Sequence, residues 1–140
     1  MKLLTLNTYS WVQTADPETY AALIADILEN EYDAIALQEV NQLSSGTSVN
    51  EPEGYLPTQN EIPIKSDNFA YFLVKPLAEK GLSYHWSWVP CHQGYFRFDE
   101  GVAILSKAPI QSVEQVQLSV VNDFENIHTR RALVLETEAA

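Results

Sequence analysis

The sequence has few cysteines, few basic residues and no long apolar run. Cys91 is the single cysteine among 140 residues, so the chain can form no internal disulfide and has too few thiols for a Cys-rich zinc site. This cysteine content is typical of a reducing compartment, and we expect a cytoplasmic location. Nowhere do the roughly 18 consecutive apolar residues of a membrane span occur. The apolar start is interrupted at Asn7, too early for a secretory signal core.

The charge is strongly one-sided. Lysine and arginine number 8, and aspartate and glutamate number 19, which gives a formal net charge of −11. A field of this sign repels phosphate backbones and anionic membranes unless a metal ion or a local basic patch reverses it. We therefore expect no membrane partner, and nucleic acid is a disfavoured one. Hydrophobic residues make up 46% of the chain, as in an ordinary globular domain.

The first forty residues predict a β-α-β unit. Lys2–Thr8 and Asp33–Val40 are short apolar segments typical of buried strands. Between them, Asp16 supplies an N-cap, and the apolar spacing that follows predicts a helix over Pro17–Asn30. A crossover helix of this kind makes the two strands parallel.

A long loop, a second helix and four strands are expected next. Asn41–Lys65 is rich in polar residues, glycine and proline without a sustained period, so we interpret it as a loop at the rim of a site. A helix follows from a cap at Ser66 to Lys80, and Pro76 removes one of its backbone hydrogen bonds and can kink or split it. The remaining strands are expected at Leu82–Trp88, Gly101–Ser106, Ser112–Val120 and Ala132–Thr137.

Two polar residues, Asn7 and Glu39, close the predicted parallel strands. Open α/β sheets bind ligands beyond the carboxyl ends of their strands, so these side chains are expected at one edge of the sheet. A carboxylate there can hold Mg²⁺, which prefers oxygen ligands. A glutamate at a strand end is also commonly a solvated loop residue or an N-cap, so the residue types alone leave both interpretations open.

Three segments carry a resemblance to a known family: KLLTLNT, YDAIALQEVNQ and DEGVAILSKAPI. In this order and at this spacing they resemble the N-terminal half of the endonuclease/exonuclease/phosphatase superfamily, the DNase I-like phosphoesterases. The resemblance covers essentially the whole chain and implies an α/β fold, the N-terminal half of a DNase I-like four-layer α-β-β-α sandwich. The segments LLTLNTYSW, LQEVNQ and YHWSWVP further resemble a bacterial subgroup associated with sugar phosphates, which includes maltose 6′-phosphate phosphatase.

The resemblance implies three catalytic residues and a metal ion, Mg²⁺ or Mn²⁺. Glu39 matches the family's metal-binding glutamate. Asn7 matches the asparagine that helps to hold the metal site and the scissile phosphate. Glu100 matches an acid that orients a catalytic histidine in some members, and a solvated turn acid is the alternative.

Three further residues are candidate substrate ligands. Arg131 and its neighbour Arg130 precede the last strand and can reach a phosphate as bidentate donors, although a surface role is the commoner one. His92 lies near an aromatic-rich segment and is interpreted as lining the substrate site, with a structural role as the alternative. Tyr9 is one of four aromatic residues that can form an apolar wall against a sugar or base; the others are Trp11, Tyr95 and Phe96, and core packing is the alternative for all four.

The later segments of that family do not occur in this sequence. They are a Thr-His-Leu-like strand, a Gly-Asp-x-Asn turn and a final Ser-Asp-His. We therefore expect residues 1–140 to be the N-terminal part of one such domain, with the C-terminal half absent. On that expectation Ala132–Thr137 lacks its hairpin partner and the aromatic face of Leu82–Trp88 lacks part of its cover, which predicts self-association through an exposed sheet edge.

Three functions remain open from the sequence. The first is a Mg²⁺-dependent phosphatase of small sugar phosphates in the intact protein, which the negative charge and the subgroup resemblance favour. The second is a nuclease of the same family, which would need basic contacts with several phosphates, whereas the chain has only 8 basic residues. The third is a catalytically silent interaction module, which the missing motifs favour for this chain.

Overall fold

The computed structural model describes residues 1–11, 16–60 and 62–138. Its strands and helices follow one another as β1 (Leu3–Asn7), α1 (Pro17–Asn30), β2 (Ala34–Leu43), α2 (Phe69–Glu79), β3 (His85–Gly94), β4 (Phe98–Ser106), β5 (Ile110–Gln117) and β6 (Arg131–Thr137).

A four-stranded sheet in the order β1-β2-β4-β3 forms the centre of the fold. β1 and β2 are parallel, whereas β4 is antiparallel to both β2 and β3. α1 is the crossover between the two parallel strands and is capped by Asp16, whose carboxylate accepts the Glu18 N–H at 3.1 Å. The predicted β-α-β unit is confirmed.

The core lies between one face of this sheet and the two helices. Fully buried side chains from all of these elements meet there, including Ile27, Ile35, Leu37, Leu73, Leu77, Trp86, Trp88 and Leu105. Burying one such aliphatic side chain contributes about 1.5–3 kcal/mol. None of the helices in the described part of the chain is long and apolar enough to cross a membrane.

β5 and β6 form a separate antiparallel hairpin that packs against β3 and β4. The expectation that Ala132–Thr137 lacks a hairpin partner is therefore wrong, because Ile110–Gln117 is that partner. The expected uncovered aromatic face is wrong as well, since Trp86 and Trp88 are both 0% exposed. The predicted self-association loses these two reasons and stays a prediction.

α2 begins later than expected and continues through its proline. Its cap is Asn68 rather than Ser66, because the Asn68 amide oxygen accepts the N–H groups at the start of the helix. Pro76 has no N–H to donate to the carbonyl of Phe72, one turn earlier. The hydroxyl of Tyr20 in α1 donates to that carbonyl instead, at 2.6 Å, and ties the two helices together.

The long segment after β2 covers an edge of the sheet. Leu56 donates to the Trp86 carbonyl and Trp86 donates to the Gly54 carbonyl, each at 2.8 Å, so the segment pairs with β3 where the strand would otherwise be unpaired. At Gly54, φ is +74° and an added Cβ would lie 2.5 Å from a backbone oxygen, which favours glycine. This segment packs against the sheet and is not the rim loop that Asn41–Lys65 was expected to form.

Several strand boundaries also differ from the expected ones. The strand expected at Leu82–Trp88 is His85–Gly94, although Leu82 and Tyr84 are buried before it begins. β4 and β2 are both longer than expected and include residues that were assigned to turns and loops. The strand expected at Ser112–Val120 is Ile110–Gln117. Burial of both faces of β3 removes the polar and apolar alternation on which such boundaries depend.

β3 and β4 approach each other closely at Gly101. A Cβ on Gly101 would lie 2.0 Å from the Val89 carbonyl oxygen, so no side chain fits there. We expect Gly101→Ala to lower the unfolding free energy of the full-length protein by about 1–3 kcal/mol, as overpacking commonly does. The matched control is Gly94→Ala, because nothing lies within 4 Å of a Cβ at that position. Urea denaturation of the two variants measures the difference, and equal stabilities would contradict the packing argument.

Candidate functional site

A cavity of about 620 Å³ opens at one end of the four-stranded sheet. Its walls come from the segment after β1, from β2, β3 and β4, from the turn between β3 and β4, and from the segment before β6. The lining residues are Tyr9, Ser10, Glu39, Asn41, His92, Gly94, Tyr95, Phe96, Phe98, Glu100, Ile127 and Arg130. Four of the six predicted site residues line this cavity: Glu39, Glu100, His92 and Tyr9. Asn7 and Arg131 do not line it.

Glu39 owes its position to a β-bulge within β2. Leu37 pairs with Ala103 and Val40 pairs with Gly101, so Gln38 and Glu39 together oppose the single residue between those partners. Glu39 has a φ of 53°, in the left-handed region that non-glycine residues rarely adopt. The strand continues beyond Glu39 to Leu43, so the expectation that it ends there is wrong. A bulge re-aims a side chain in this way without ending the strand.

Thr8 and Trp88 hold the bulge in place. The Thr8 hydroxyl lies 2.9 Å from the Gln38 carbonyl oxygen and 2.8 Å from that of Glu39. The Thr8 N–H also donates to Gln38 at 2.9 Å. On the core side, the Trp88 indole N–H donates to the Val40 carbonyl at 3.1 Å. These hydrogen bonds satisfy backbone carbonyls around the bulge, where the regular pairing between strands is interrupted.

Asn7 and Glu39 lie on neighbouring strands at this end of the sheet. Asn7 is opposite Gln38 in the register, one residue before Glu39. The Asn7 amide oxygen accepts the Tyr9 N–H at 2.8 Å and so shapes the turn that leaves β1. Glu39 lines the cavity, whereas Asn7 is exposed at its strand end. Their roles at a metal stay a prediction.

The Glu39 carboxylate has the properties of a ligand for a hard cation. It is partly buried, and no described residue forms a hydrogen bond or an ion pair with it. A carboxylate in that state is stabilised by a cation, and its oxygens suit Mg²⁺. Within the described ranges, no group of three or more acidic, histidine or cysteine side chains could hold a metal. Glu39 alone is the kind of oxygen donor that Mg²⁺ accepts, because this ion commonly keeps waters and phosphate oxygens in its shell.

Glu100 forms a hydrogen-bonded cluster with two cavity residues. It lies inside β4 directly opposite His92 of β3, and Oε2 is 3.1 Å from His92 Nε2. The Ser10 hydroxyl donates to Oε1 at 2.5 Å. The hydrogen bond of His92 lowers the pKa of Glu100, burial opposes it, and that of Ser10 adds to the lowering. The side chain is 18% exposed, so the alternative of a solvated turn acid is wrong.

The order of these side chains limits their chemistry. In a catalytic triad the serine hydroxyl bonds to the histidine, which activates it as a nucleophile. Here the Ser10 hydroxyl donates to the Glu100 carboxylate instead, so this bond does not activate Ser10. His92 Nδ1 lies 3.4 Å from the Thr129 carbonyl oxygen, so both ring nitrogens face oxygen acceptors. The contacts orient His92 at the cavity wall.

The two neighbouring arginines differ in their surroundings. Arg131 donates to the Pro90 carbonyl at 2.7 Å, and also to side chains of β5 and of the loop after it, which fastens the hairpin to β3. Arg130 lines the large cavity, and both arginines border a smaller cavity beside Glu39 and Glu100. Phosphate binding by Arg131 stays a prediction.

Burial raises the pKa of the Cys91 thiol, which keeps this residue unreactive.

Unfavourable backbone conformations are concentrated around the cavity. In the described part of the chain, seven non-glycine residues have positive φ, and five of them line this cavity: Tyr9, Ser10, Glu39, Tyr95 and Phe96. Each such conformation costs about 1–3 kcal/mol and persists only where surrounding structure enforces it. Such strain is common at ligand sites, which supports a functional role for this cavity.

Sequence reasoning missed several of the residues that build the site. Thr8 directly follows Asn7, and that polar pair at a strand end was the available signal. Ser10, which lines the cavity and donates to Glu100, lies beyond the polar end of β1 and carries no sequence motif of its own. Asn41 was assigned to the loop, because the continuation of β2 past its bulge leaves no alternation to read.

Comparisons with known proteins place this fold among known families. A model described as the Endonuclease/Exonuclease/phosphatase family matches residues 5–134. A solved structure of an endonuclease/exonuclease/phosphatase family protein from Leptotrichia buccalis C-1013-b is similar to this chain, with 26% identity and a TM-score of 0.84. The match covers 99% of this chain and 49% of that one, so the chain spans about half the length of the solved relative. A search among curated proteins found no match.

The lowered pKa of Glu100 predicts a specific loss of stability in acid. Because the folded state holds this carboxyl ionised below its ordinary pKa of 4.5, its stabilisation is present above that value and is lost as the pH falls through the lowered pKa. We expect Glu100→Gln to be less stable than the wild type at pH 7, with the difference shrinking as the pH falls below about 4.5.

Urea denaturation of the full-length protein at a series of pH values measures this convergence. Glu114→Gln is the matched control, because Glu114 is exposed on β5. A constant difference between Glu100→Gln and the wild type across the acid range would contradict the assignment.

Proposed function

The chain belongs to the endonuclease/exonuclease/phosphatase family, and from that membership we propose that the full-length protein is a Mg²⁺-dependent phosphoric ester hydrolase of small sugar phosphates. Members of this family are generally hydrolases. The fold is α/β and matches a DNase I-like relative over the whole of this chain.

The observation that carries the proposal is the environment of Glu39. A bulge holds this carboxylate partly buried in a cavity, and no described residue pairs with it. A cation bound in the cavity would pair with this carboxylate and be stabilised by it. Asn7, at the adjacent strand end, supplies a second oxygen-bearing side chain.

The residues of this chain have distinct parts in the proposed reaction. When bound, Mg²⁺ neutralises phosphoryl charge and favours in-line attack by water. Glu39 holds the ion, and Asn7 orients its ligands and the phosphate. Arg130, at the cavity wall, donates to phosphate oxygens. Glu100 keeps the His92 ring oriented towards the cavity.

A small sugar phosphate fits the charge of residues 1–140 better than a polynucleotide does. The net charge of −11 opposes a polyanion along its whole length, whereas a monoester brings one phosphate to the site. The cavity of about 620 Å³ is also of the size that encloses a small molecule. Nuclease activity is the alternative, and comparison of phosphate release with DNA nicking distinguishes the two functions.

We expect the full-length protein to release inorganic phosphate from sugar phosphates in a Mg²⁺-dependent way, and faster than it nicks duplex DNA at physiological salt. The physical reason is the repulsion between a polyanion and the acidic surface. A phosphate-release assay is run beside a plasmid-nicking assay, each with Mg²⁺ and with EDTA. Predominant nicking would favour the nuclease, and equal activity in EDTA would contradict the metal requirement.

Glu39→Gln tests the metal ligand directly. We expect kcat/KM at limiting Mg²⁺ to fall by about 100-fold or more, because the variant loses the charge that attracts the ion. Added Mg²⁺ should recover part of the loss, and the unfolding midpoint in EDTA should hardly change because no core volume is lost. The matched control is Glu29→Gln on the exposed face of α1. Unchanged turnover of Glu39→Gln at limiting Mg²⁺ would show that Glu39 does not bind the ion.

A further inference from the structure

The turn between β3 and β4 exposes two aromatic side chains. Gly94, Tyr95, Phe96 and Arg97 form this aromatic turn, which the Arg97 N–H closes onto the Gly94 carbonyl at 3.1 Å. Tyr95 is 75% exposed and Phe96 is 81% exposed. Neither belongs to the hydrophobic core, so core packing does not account for them.

The backbone of the turn is unfavourable for the residues that occupy it. Tyr95 has a φ of 52° and Phe96 a φ of 55°. Turns with positive φ at both central residues strongly favour asparagine and glycine, because larger side chains clash with the backbone. The chain thus carries two aromatic residues in a strained conformation and in contact with water. Both features are unfavourable for folding, which points to binding.

The aromatic turn and the polar groups of the proposed site share one cavity. Tyr95 and Phe96 form part of its wall, and Glu39, Glu100 and Arg130 lie elsewhere on that wall. The base of the turn is fixed, because the Ser44 N–H donates to the Arg97 carbonyl at 2.8 Å. A molecule that suits this cavity has a charged group at one end and an apolar ring face at the other.

We propose that Tyr95 and Phe96 form a platform that binds the ring of a sugar phosphate while the phosphate lies at the polar wall of the same cavity. This assignment deepens the proposed function and rests on it for the position of the phosphate. A sugar ring has an apolar C–H face that packs on an aromatic ring, and hydroxyls at its edge that the Tyr95 hydroxyl can meet. A nucleobase also stacks on aromatic rings, so nucleotides form a separate arm of the test.

The decisive variant replaces the turn with the residues that its backbone favours. In the full-length protein, Tyr95→Asn combined with Phe96→Gly relieves the strain and removes both rings. We expect the melting temperature to rise, while the ratio of kcat/KM for a sugar phosphate over that for glycerol 3-phosphate falls about tenfold. Glycerol 3-phosphate carries the same phosphoester without a ring.

Two controls separate the rings from the strain. Glu51→Asn relieves a positive φ of 49° outside the cavity, so it should leave the substrate ratio unchanged. Tyr95→Phe combined with Phe96→Tyr keeps both rings, so it should retain most of the preference for the sugar phosphate. An unchanged ratio in the Asn-Gly variant, or loss of the ratio in the ring-exchanged variant, would overturn the platform.

Binding without turnover distinguishes failure of the platform from failure of the proposed function. Calorimetric titration with a non-hydrolysable phosphonate analogue of the sugar phosphate, in the presence of Mg²⁺, should give a Kd about tenfold weaker for the Asn-Gly variant than for the wild type. If the protein hydrolyses no phosphomonoester but shows this difference in Kd, the platform stands and the hydrolase proposal fails. Equal Kd values for the two proteins, or tighter binding of a nucleoside monophosphate than of the sugar phosphate, would overturn the platform as assigned.

Discussion

A β-bulge in β2, held by the Thr8 hydroxyl, determines the geometry of the rest of the site. Leu37 and Val40 are both buried in the core although they are three residues apart, which an unbroken pleat does not allow. The extra residue in the bulge resolves this conflict and releases Glu39 towards the cavity. Since Thr8 directly follows Asn7, the end of β1 and the position of Glu39 are coupled through the same backbone carbonyls.

A second register shift, in the pairing of β3 with β4, lies next to the bulge of β2. β3 has a register shift between Pro90 and His92, which sets His92 opposite Glu100. Gly101 makes this possible, because the Val89 carbonyl occupies the space that a side chain would need. The two bulges thus meet on one short stretch of β4, and an acid, its histidine partner and the Glu39 carboxylate reach a common cavity from three strands. Five of the described residues with unfavourable positive φ cluster on this cavity wall, a distribution that is common at ligand sites.

The local patterns in the sequence predicted some elements well and others poorly. The helix at Pro17–Asn30 has the bounds expected from its proline, its cap and its apolar spacing. The sequence predicts Ser66 as the cap of α2, whereas the cap is Asn68. Both residue types cap helices, and only the tertiary hydrogen bond from the Asn68 amide to Gln42 favours Asn68. The partner of β6 was missed, since the pairing of β5 with β6 crosses a loop that no local period marks. Asn7, Glu39 and Glu100 were found through family motifs, and the structure sets two of these three in the cavity wall.

The sequence by itself determined the β-α-β start, the negative charge and the acidic residues available to the cavity, because propensity, spacing and composition are properties of neighbouring residues. Only the tertiary structure decided that Glu39 lies in a bulge rather than at a strand end, that Glu100 meets His92, and that Tyr95 and Phe96 face the cavity instead of the core. The physical reason is that register shifts and close strand approach depend on contacts between segments far apart in the chain. A local sequence pattern does not specify which distant strand pairs with it or in which register.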